Sequence, residues 1–264
     1  MGTLKQSEEY RIIGNSQGIR NVFDIVEKAA NSDSTVMVFG ESGTGKELIA
    51  RAIHQSGHRS RHAFVSENCG AISESLLESE LFGHLKGSFT GADEDREGLF
   101  SAADKGTLFL DEISDMSQNM QRKLLRTLQE GVVRPIGSKT SIQVDSRVVC
   151  ASNTDLKHLV ERDQFRADLF YRLNVITIEV PPLRQRRGDI PLLIDHFLAR
   201  LGEEEGVEKI DQFFPVLVAV LRCIEPWVIN QIGSSHGTAE RRPIPVLAHG
   251  KSYPTAVATP VVVP

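Results

Sequence analysis

Short apolar runs alternate with longer amphipathic segments through the first 180 residues of the chain. Thr35-Val36-Met37-Val38-Phe39 reads as a buried strand, ended by Gly40. Residues 63–65, 107–110, 147–151 and 175–180 read as four more. Runs with so little alternation suit a parallel sheet covered on both faces. Between them, apolar positions recur at helical spacing over residues 18–30, 46–54, 73–81, 117–128 and 164–173. Strand alternating with helix predicts an α/β fold, a five-stranded parallel sheet sandwiched by crossover helices. Pro181-Pro182 stops the fifth strand. Asp189 reads as the N-cap of a helix through Leu201, with Pro191 in its first turn.

After about Lys209 the pattern fades. Seven of the eleven prolines fall in residues 209–264, and Pro243, Pro245, Pro254, Pro260 and Pro264 break any helix there. The closing Val261-Val262-Val263-Pro264 has no amphipathic period, and no internal repeat is evident.

Composition narrows the class without changing the fold. Hydrophobic residues make up 40% and charged residues 25% of 264, ordinary for a soluble globular chain of one large domain, or one medium domain with an appendage. The net charge of -5 and pI of 5.9 leave no global basic footprint for nucleic acid. Cys69, Cys150 and Cys223 are too few and scattered for a disulfide framework, which favours a reducing cytosol. The charged start, Met1 to Tyr10, has no apolar core of a signal peptide. Phe213 to Ile224, interrupted by Pro215 and Arg222, is too short to span a bilayer. A cytoplasmic protein is expected.

Chemistry enters with Gly40-Glu41-Ser42-Gly43-Thr44-Gly45-Lys46, which fits the phosphate-binding loop pattern up to its lysine, directly after a strand and opening a helix. Its glycines let backbone N–H groups turn around phosphates, and the helix N-terminus adds partial positive charge. Lys46 supplies a point charge for the β- and γ-phosphates. Glu47 stands where many such loops carry a Ser or Thr that ligates Mg²⁺, so the metal duty moves elsewhere. Asp111 and Glu112, after the apolar 107–110, are the candidates: the first to hold Mg²⁺, the second to orient and polarise water. Two carboxylates at a buried strand end would repel unless a cation compensates. No guanine-reading Asn-Lys-x-Asp motif is present, which leans towards ATP.

Between these motifs lies Gly87-Ser88-Phe89-Thr90-Gly91-Ala92, with neither helical nor strand period. An apolar tip on a glycine-hinged loop points to a contact with another molecule; the alternative is a tight turn whose Phe89 packs locally. Asn153, just after the fourth strand, reads equally as a helix N-cap. Arg166 and Arg172, six residues apart, lie about 240° apart around a helix, and pairing with Asp168 or Glu161 is their default. His54, His58 and His62 would share a helical face if the helix continued, but Gly57 argues for a loop. Glu203-Glu204-Glu205 reads as a solvated helix end.

Ordered motifs carry a resemblance. Gly-Glu-Ser-Gly-Thr-Gly-Lys-Glu at 40–47, Glu80-Leu81-Phe82-Gly83-His84, the hexapeptide at 87–92, residues 106–112, Phe165-Arg166-Ala167-Asp168-Leu169 and Pro181-Pro182-Leu183-Arg184 resemble the central AAA+ ATPase domain of bacterial enhancer-binding proteins, the NtrC-like activators of sigma-54 RNA polymerase. The resemblance runs from about Ile12 to Glu205, with Ser88 replacing Ala in the family's hexapeptide signature. It implies an AAA+ P-loop NTPase that binds ATP and Mg²⁺ and works as a hexameric ring. Lys46 would bind phosphate within residues 40–47, Asp111 would hold Mg²⁺ and Glu112 would activate water. Asn68 would restrain Glu112, and Asn153 would sense the γ-phosphate. Arg166 and Arg172 would act in trans on a neighbour's nucleotide. Gly87 to Ala92, with Phe89 and Thr90 at the tip, would touch sigma-54 of the polymerase holoenzyme.

By the same resemblance the chain divides into an N-terminal segment (1–10), a nucleotide-binding α/β domain (11–187), the start of a helical lid (188–208) and an atypical Pro-rich tail (209–264). The family's lid segment, with its sensing arginine, its helix-turn-helix and its N-terminal receiver or sensory domain find no match: Trp227 is followed by Val-Ile-Asn-Gln, and Arg241-Arg242 by proline. The tail is therefore expected to be frame-shifted or otherwise non-homologous, and DNA binding by this chain alone is not expected. The functional expectation is an ATP-driven remodeller of the sigma-54 polymerase closed complex. The alternatives are a lid-deficient relative that binds nucleotide or sigma-54 without productive hydrolysis, and an AAA+ remodeller of another target.

Overall fold

The computed structural model describes Tyr10 through Glu205. The expectations for residues 1–9 and for the tail, 209–264, lie outside the described residues. In chain order the elements are α1 (Gln17–Ala30), β1 (Val36–Phe39), α2 (Lys46–Ser56), β2 (Phe64–Asn68), α3 (Glu74–Phe82), β3 (Gly83–His84), β4 (Arg96–Glu97), α4 (Leu99–Ala102), β5 (Thr107–Asp111), α5 (Gln118–Glu130), β6 (Val132–Val133), β7 (Ile142–Gln143), β8 (Arg147–Ser152), α6 (Leu156–Glu161), α7 (Ala167–Leu173), β9 (Ile176–Glu179) and α8 (Ile190–Glu205).

Five strands form one parallel sheet in the order β2-β5-β8-β1-β9. Alternate side chains feed two cores, as the period of two requires. Met37, Leu108, Leu110, Val148 and Cys150 join residues of α3, α5 and α7 on one face. Val36, Val38, Phe109, Val149, Ala151 and Ile178 join α1 and α2 on the other. Most of these are fully buried, each worth about 1.5–3 kcal/mol against exposure. The helices carry matching stripes. α1 buries Ile19, Val22, Val26 and Ala29 after its Ser16 cap. α5 is capped by Ser117, buries Met120, Gln121, Leu124 and Leu125, and ends at Gly131 in the left-handed region (φ 64°).

Because all five strands run the same way, Asn68, Asp111, Ser152 and Phe39 finish on one edge of the sheet, where a doubly covered parallel sheet opens its ligand crevice. Two small antiparallel hairpins, β3–β4 and β6–β7, stand outside it and meet through the Leu85 N–H and the Ile136 carbonyl at 3.0 Å.

Several boundaries differ from expectation. β2 runs three residues beyond residue 65, because an edge strand tolerates the polar Ser66 and Glu67. α7 begins at Ala167, not 164: Arg166 is extended, and the Gln164 and Phe165 amides bond the Leu159 carbonyl. α6, six residues capped by Asp155, is too short for a period to betray it. Asp189 stands directly before α8, at the cap position, and serves a second element as well. Its carboxylate accepts from the Asn15 amide (2.7 Å), the Ser16 amide (2.8 Å) and Ser16 Oγ (2.6 Å), tying the entry of α1 to that of α8.

Candidate functional site

Between β1 and α2 the chain makes a tight loop whose turns at Gly43 (φ 78°) and Gly45 (φ 94°) need left-handed backbone. Lys46 is buried, and its Nζ donates into the loop, to the Gly40 carbonyl at 2.9 Å and the Glu41 carbonyl at 3.2 Å. Like α3, α4 and α7, α2 has no side-chain cap, and its cap residue is Gly45. Its first-turn amides thus face the loop without a side-chain acceptor, as an anion site requires.

Glu41 and Glu47 have partners of their own. Arg184 forks onto the Glu41 carboxylate at 2.6 and 2.5 Å, and this contact holds Glu41 below the usual carboxylate range. Glu47 accepts from Arg51 Nε (3.0 Å) and NH2 (2.7 Å), while the Arg51 guanidinium lies between the Tyr10 and Phe64 rings at 4.2 and 4.6 Å. Ser42 is exposed, and Thr44 Oγ1 folds back on the Glu41 carbonyl at 2.8 Å.

Asp111 ends β5, half-buried rather than fully enclosed, and its Oδ1 accepts from the Glu112 amide at 2.9 Å. Glu112 turns into the left-handed region (φ 51°, ψ 45°), a costly conformation for a side-chain residue that often marks a functional position. The turn carries its carboxylate over Gly70, where a built Cβ would stand 3.0 Å from Oε2.

Asn68 is the register partner of Asp111, but its Oδ1 accepts from Gly70 (2.8 Å) and Ala71 (3.0 Å). Among the described residues no hydrogen bond joins Asn68 to Glu112; the contact with that glutamate is made by Gly70, which periodicity could not reveal. Asn153 follows Ser152, whose carbonyl accepts from the Gly40 amide at 3.2 Å, so it borders the phosphate loop. Its Oδ1 takes the Thr154 hydroxyl at 3.0 Å, and Asp155 caps the helix in its place.

Arg166 pairs with Asp168 through Nε (3.0 Å) and NH2 (2.6 Å), as its default predicted, while Arg172 donates to the Leu128 carbonyl at 2.8 Å. α7 leads into the N-terminal end of β9, where Ile176 pairs with Val36, so Arg172 lies towards the sheet edge opposite Gly40. Tyr171 and Val175 beside it are 74% and 57% exposed.

The hexapeptide caps the β3–β4 hairpin. The Gly87 amide bonds the Ala92 carbonyl at 2.8 Å and the Ala92 amide the Phe89 carbonyl at 3.1 Å, a tight turn that leaves Thr90 and Gly91 exposed and Ala92 buried. Ser88 rests on Gly137 of the neighbouring hairpin loop. Phe89 is 44% exposed, with its ring edge-on to His84 at 5.0 Å. Both readings of the hexapeptide hold in part: a tight turn with one local ring contact, and an exposed apolar tip. A cleft of about 350 Å³ lined by Glu78, Lys123, Arg134 and Ser138 opens beside this hairpin, away from the phosphate loop.

The three histidines part company. His54 is buried against Thr107 Oγ1 (2.9 Å), Gly57 ends α2, and His58 meets Asp33 at 3.0 Å in the loop.

Comparison with known proteins agrees with this geometry. The model of the family described as "Sigma-54 interaction domain" matches residues 12–179. The chain is 54% identical over 195 residues to the transcriptional regulatory protein ZraR of Salmonella typhimurium, covering 74% of this chain and 44% of that one. It is 51% identical over 202 residues to the Nif-specific regulatory protein of Azotobacter vinelandii, covering 76% and 39%. Among solved structures, NtrX from Brucella abortus in complex with ATP superposes with a TM-score of 0.70 at 34% identity, over 75% of this chain and 43% of that one. The chain thus spans less than half the length of these relatives.

Proposed function

The chain belongs to the sigma-54 interaction domain family of transcriptional activators, on an AAA+ P-loop NTPase fold, and from that premise we propose that it hydrolyses ATP as a ring of copies to remodel the sigma-54 RNA polymerase closed complex. One observation carries the reading: a phosphate loop with Lys46 folded into it shares a sheet edge with Asp111 and Glu112, while an exposed Phe89 tip stands on a separate hairpin.

In this reading the loop amides of residues 40–46 and the start of α2 take the phosphates, and the Lys46 ammonium swings from loop carbonyls to phosphate oxygens. Asp111 offers one carboxylate, and among the described residues no cluster of three or more acidic, His or Cys side chains could hold a metal alone. A single carboxylate completed by phosphate oxygens and water is how Mg²⁺ is usually held, so the donor set fits. Bound there, Mg²⁺ would offset the charge developing on the transferred phosphoryl group. Glu112 orients the attacking water and accepts its proton; Asn153 borders the loop where a γ-phosphate would end. Arg172, towards the far edge of the sheet, and Arg166 at the start of the same helix would serve a neighbouring copy, an arrangement worth about 10³–10⁵ in rate. Glu47, held by Arg51, supports the loop from the helix. Gly87 to Ala92 would present Phe89 and Thr90 to sigma-54 in the bacterial cytoplasm.

Trans-acting arginines make assembly a condition of turnover. ATPase activity per chain should rise with protein concentration and vanish in Arg172→Ala, and Phe89→Ala should lose sigma-54 binding alone. Activity per chain that is independent of concentration would contradict the ring. Nucleotide and sigma-54 binding with no hydrolysis at any concentration would favour the non-productive relative.

A further inference from the structure

Two arginines from the segment after β9 close on the phosphate loop from outside. Arg184 meets Glu41 at the surface, each side chain about half exposed, and such pairs contribute little. Arg186 is different. It is 8% exposed, and its one described side-chain hydrogen bond runs from NH2 to the Thr44 carbonyl at 3.1 Å. Its Nε has no hydrogen-bond partner, and among the described residues no carboxylate lies within ion-pair distance. Asp189 attracts it from further off, but that carboxylate already accepts three hydrogen bonds from Asn15 and Ser16. A guanidinium buried with so little compensation is costly, and a cost of this kind is expected where a counter-charge arrives during function.

We propose that Arg186 is a positioning residue of the nucleotide site: a buried cation behind Thr44 whose counter-charge is the phosphate chain held by the loop. The inference rests on reading residues 40–46 as a nucleotide site. Lys46 touches the phosphates directly, whereas Arg186 acts through the Thr44 peptide and through its field. Burial lowers its pKa from the ordinary arginine value, as a cation lacking a close partner requires, and phosphate would relieve that penalty. The same segment leads into α8, so phosphate binding would also tighten the loop against the start of that helix.

The test uses the 264-residue chain and Arg186→Gln, which keeps an amide donor and removes the charge. Affinities for ATP, ADP and AMP are measured by competition, with the melting temperature of the ligand-free protein. ATP binding should weaken by at least tenfold, about 1.4 kcal/mol, ADP by less and AMP least. The ligand-free melting temperature should not fall, and Arg186→Lys should recover part of the ATP affinity. Equal losses for all three nucleotides, or unchanged ATP affinity, would overturn the proposal. If Arg186→Gln does not fold, the graded loss is read in Arg186→Lys against Arg184→Ala, which should lose no more ATP affinity than AMP affinity. A wild-type chain that binds no nucleotide would instead remove the nucleotide reading itself, and it is measured first.

Discussion

Gly70 passes beneath the Glu112 carboxylate, and Gly70→Ala tests how tightly that carboxylate must be placed. A methyl group on Gly70 would stand 3.0 Å from Glu112 Oε2 and 2.7 Å from Asp115 Oδ2, both inside ordinary contact. Gly70 is not among the glycines with left-handed backbone, so alanine meets no conformational strain there. What must yield are the ends of two flexible side chains. The stability cost should be about 1 kcal/mol, the low end of overpacking, which shifts the melting temperature by about 2–4 °C. Catalysis is less forgiving. Restoring contact moves the Glu112 carboxylate by a few tenths of an ångström, and a 1 Å misplacement costs about 10²-fold. A fall in kcat of about tenfold is expected, with ATP affinity unchanged, read by steady-state ATPase assays above the assembly concentration and by equilibrium nucleotide binding. Asp115→Ala in the same background removes the closer clash but not that with Glu112, so it should not restore the rate. Wild-type kcat in Gly70→Ala, or recovery on removing Asp115, would refute the reasoning.

Three further outcomes follow from contacts elsewhere. Phe89→Ala deletes an exposed ring with one edge-on partner, so stability should fall by no more than about 1.5 kcal/mol and ATP hydrolysis should persist, while sigma-54 pull-down should fail; retained sigma-54 binding would contradict the role of the tip. Burial holds the His54 pKa below its ordinary value. The unfolded chain therefore takes up the proton first as pH falls, and stability, full above about pH 6.5, should drop by up to about 1.4 kcal/mol per pH unit below it. Urea melts between pH 7 and 5 should show the slope, and His54→Gln should flatten it; an identical slope in the variant would assign it to other groups. Asp189→Ala strands the Asn15 and Ser16 amides, each costing about 1–3 kcal/mol, so a loss near 3 kcal/mol is expected from urea melts. A loss under 1 kcal/mol, measured the same way, would show that water replaces the carboxylate.

Local chemistry made most of this molecule readable, and non-local topology hid the rest. The apolar runs at 36–38, 108–110 and 148–151 can be read as strands because burial on both faces leaves no polar position to blur them. The polar Ser66 and Glu67 hide the second half of β2, which an edge strand accommodates because it is only partly buried. The phosphate loop and the acids after β5 announced themselves through glycine spacing and through carboxylates closing an apolar run. The Gly70 contact with Glu112 gave no such signal, since it joins the turn after β2 to the end of β5 across a strand pair. Asp189 hides its wider role for a related reason: its position fits a helix cap, but two amides 173 and 174 residues away also bind its carboxylate. In the sequence Arg184 belongs to the Pro181-Pro182-Leu183-Arg184 motif, and Arg186 carries no signal of its own. They reach the loop only because β9, last in sequence, pairs with β1, first in sequence. That pairing places the exit of the sheet against the phosphate loop and carries the chain directly into α8. A nucleotide at the loop and the helix that follows β9 would therefore be coupled by the order of the strands, with Arg186 as the charged element between them.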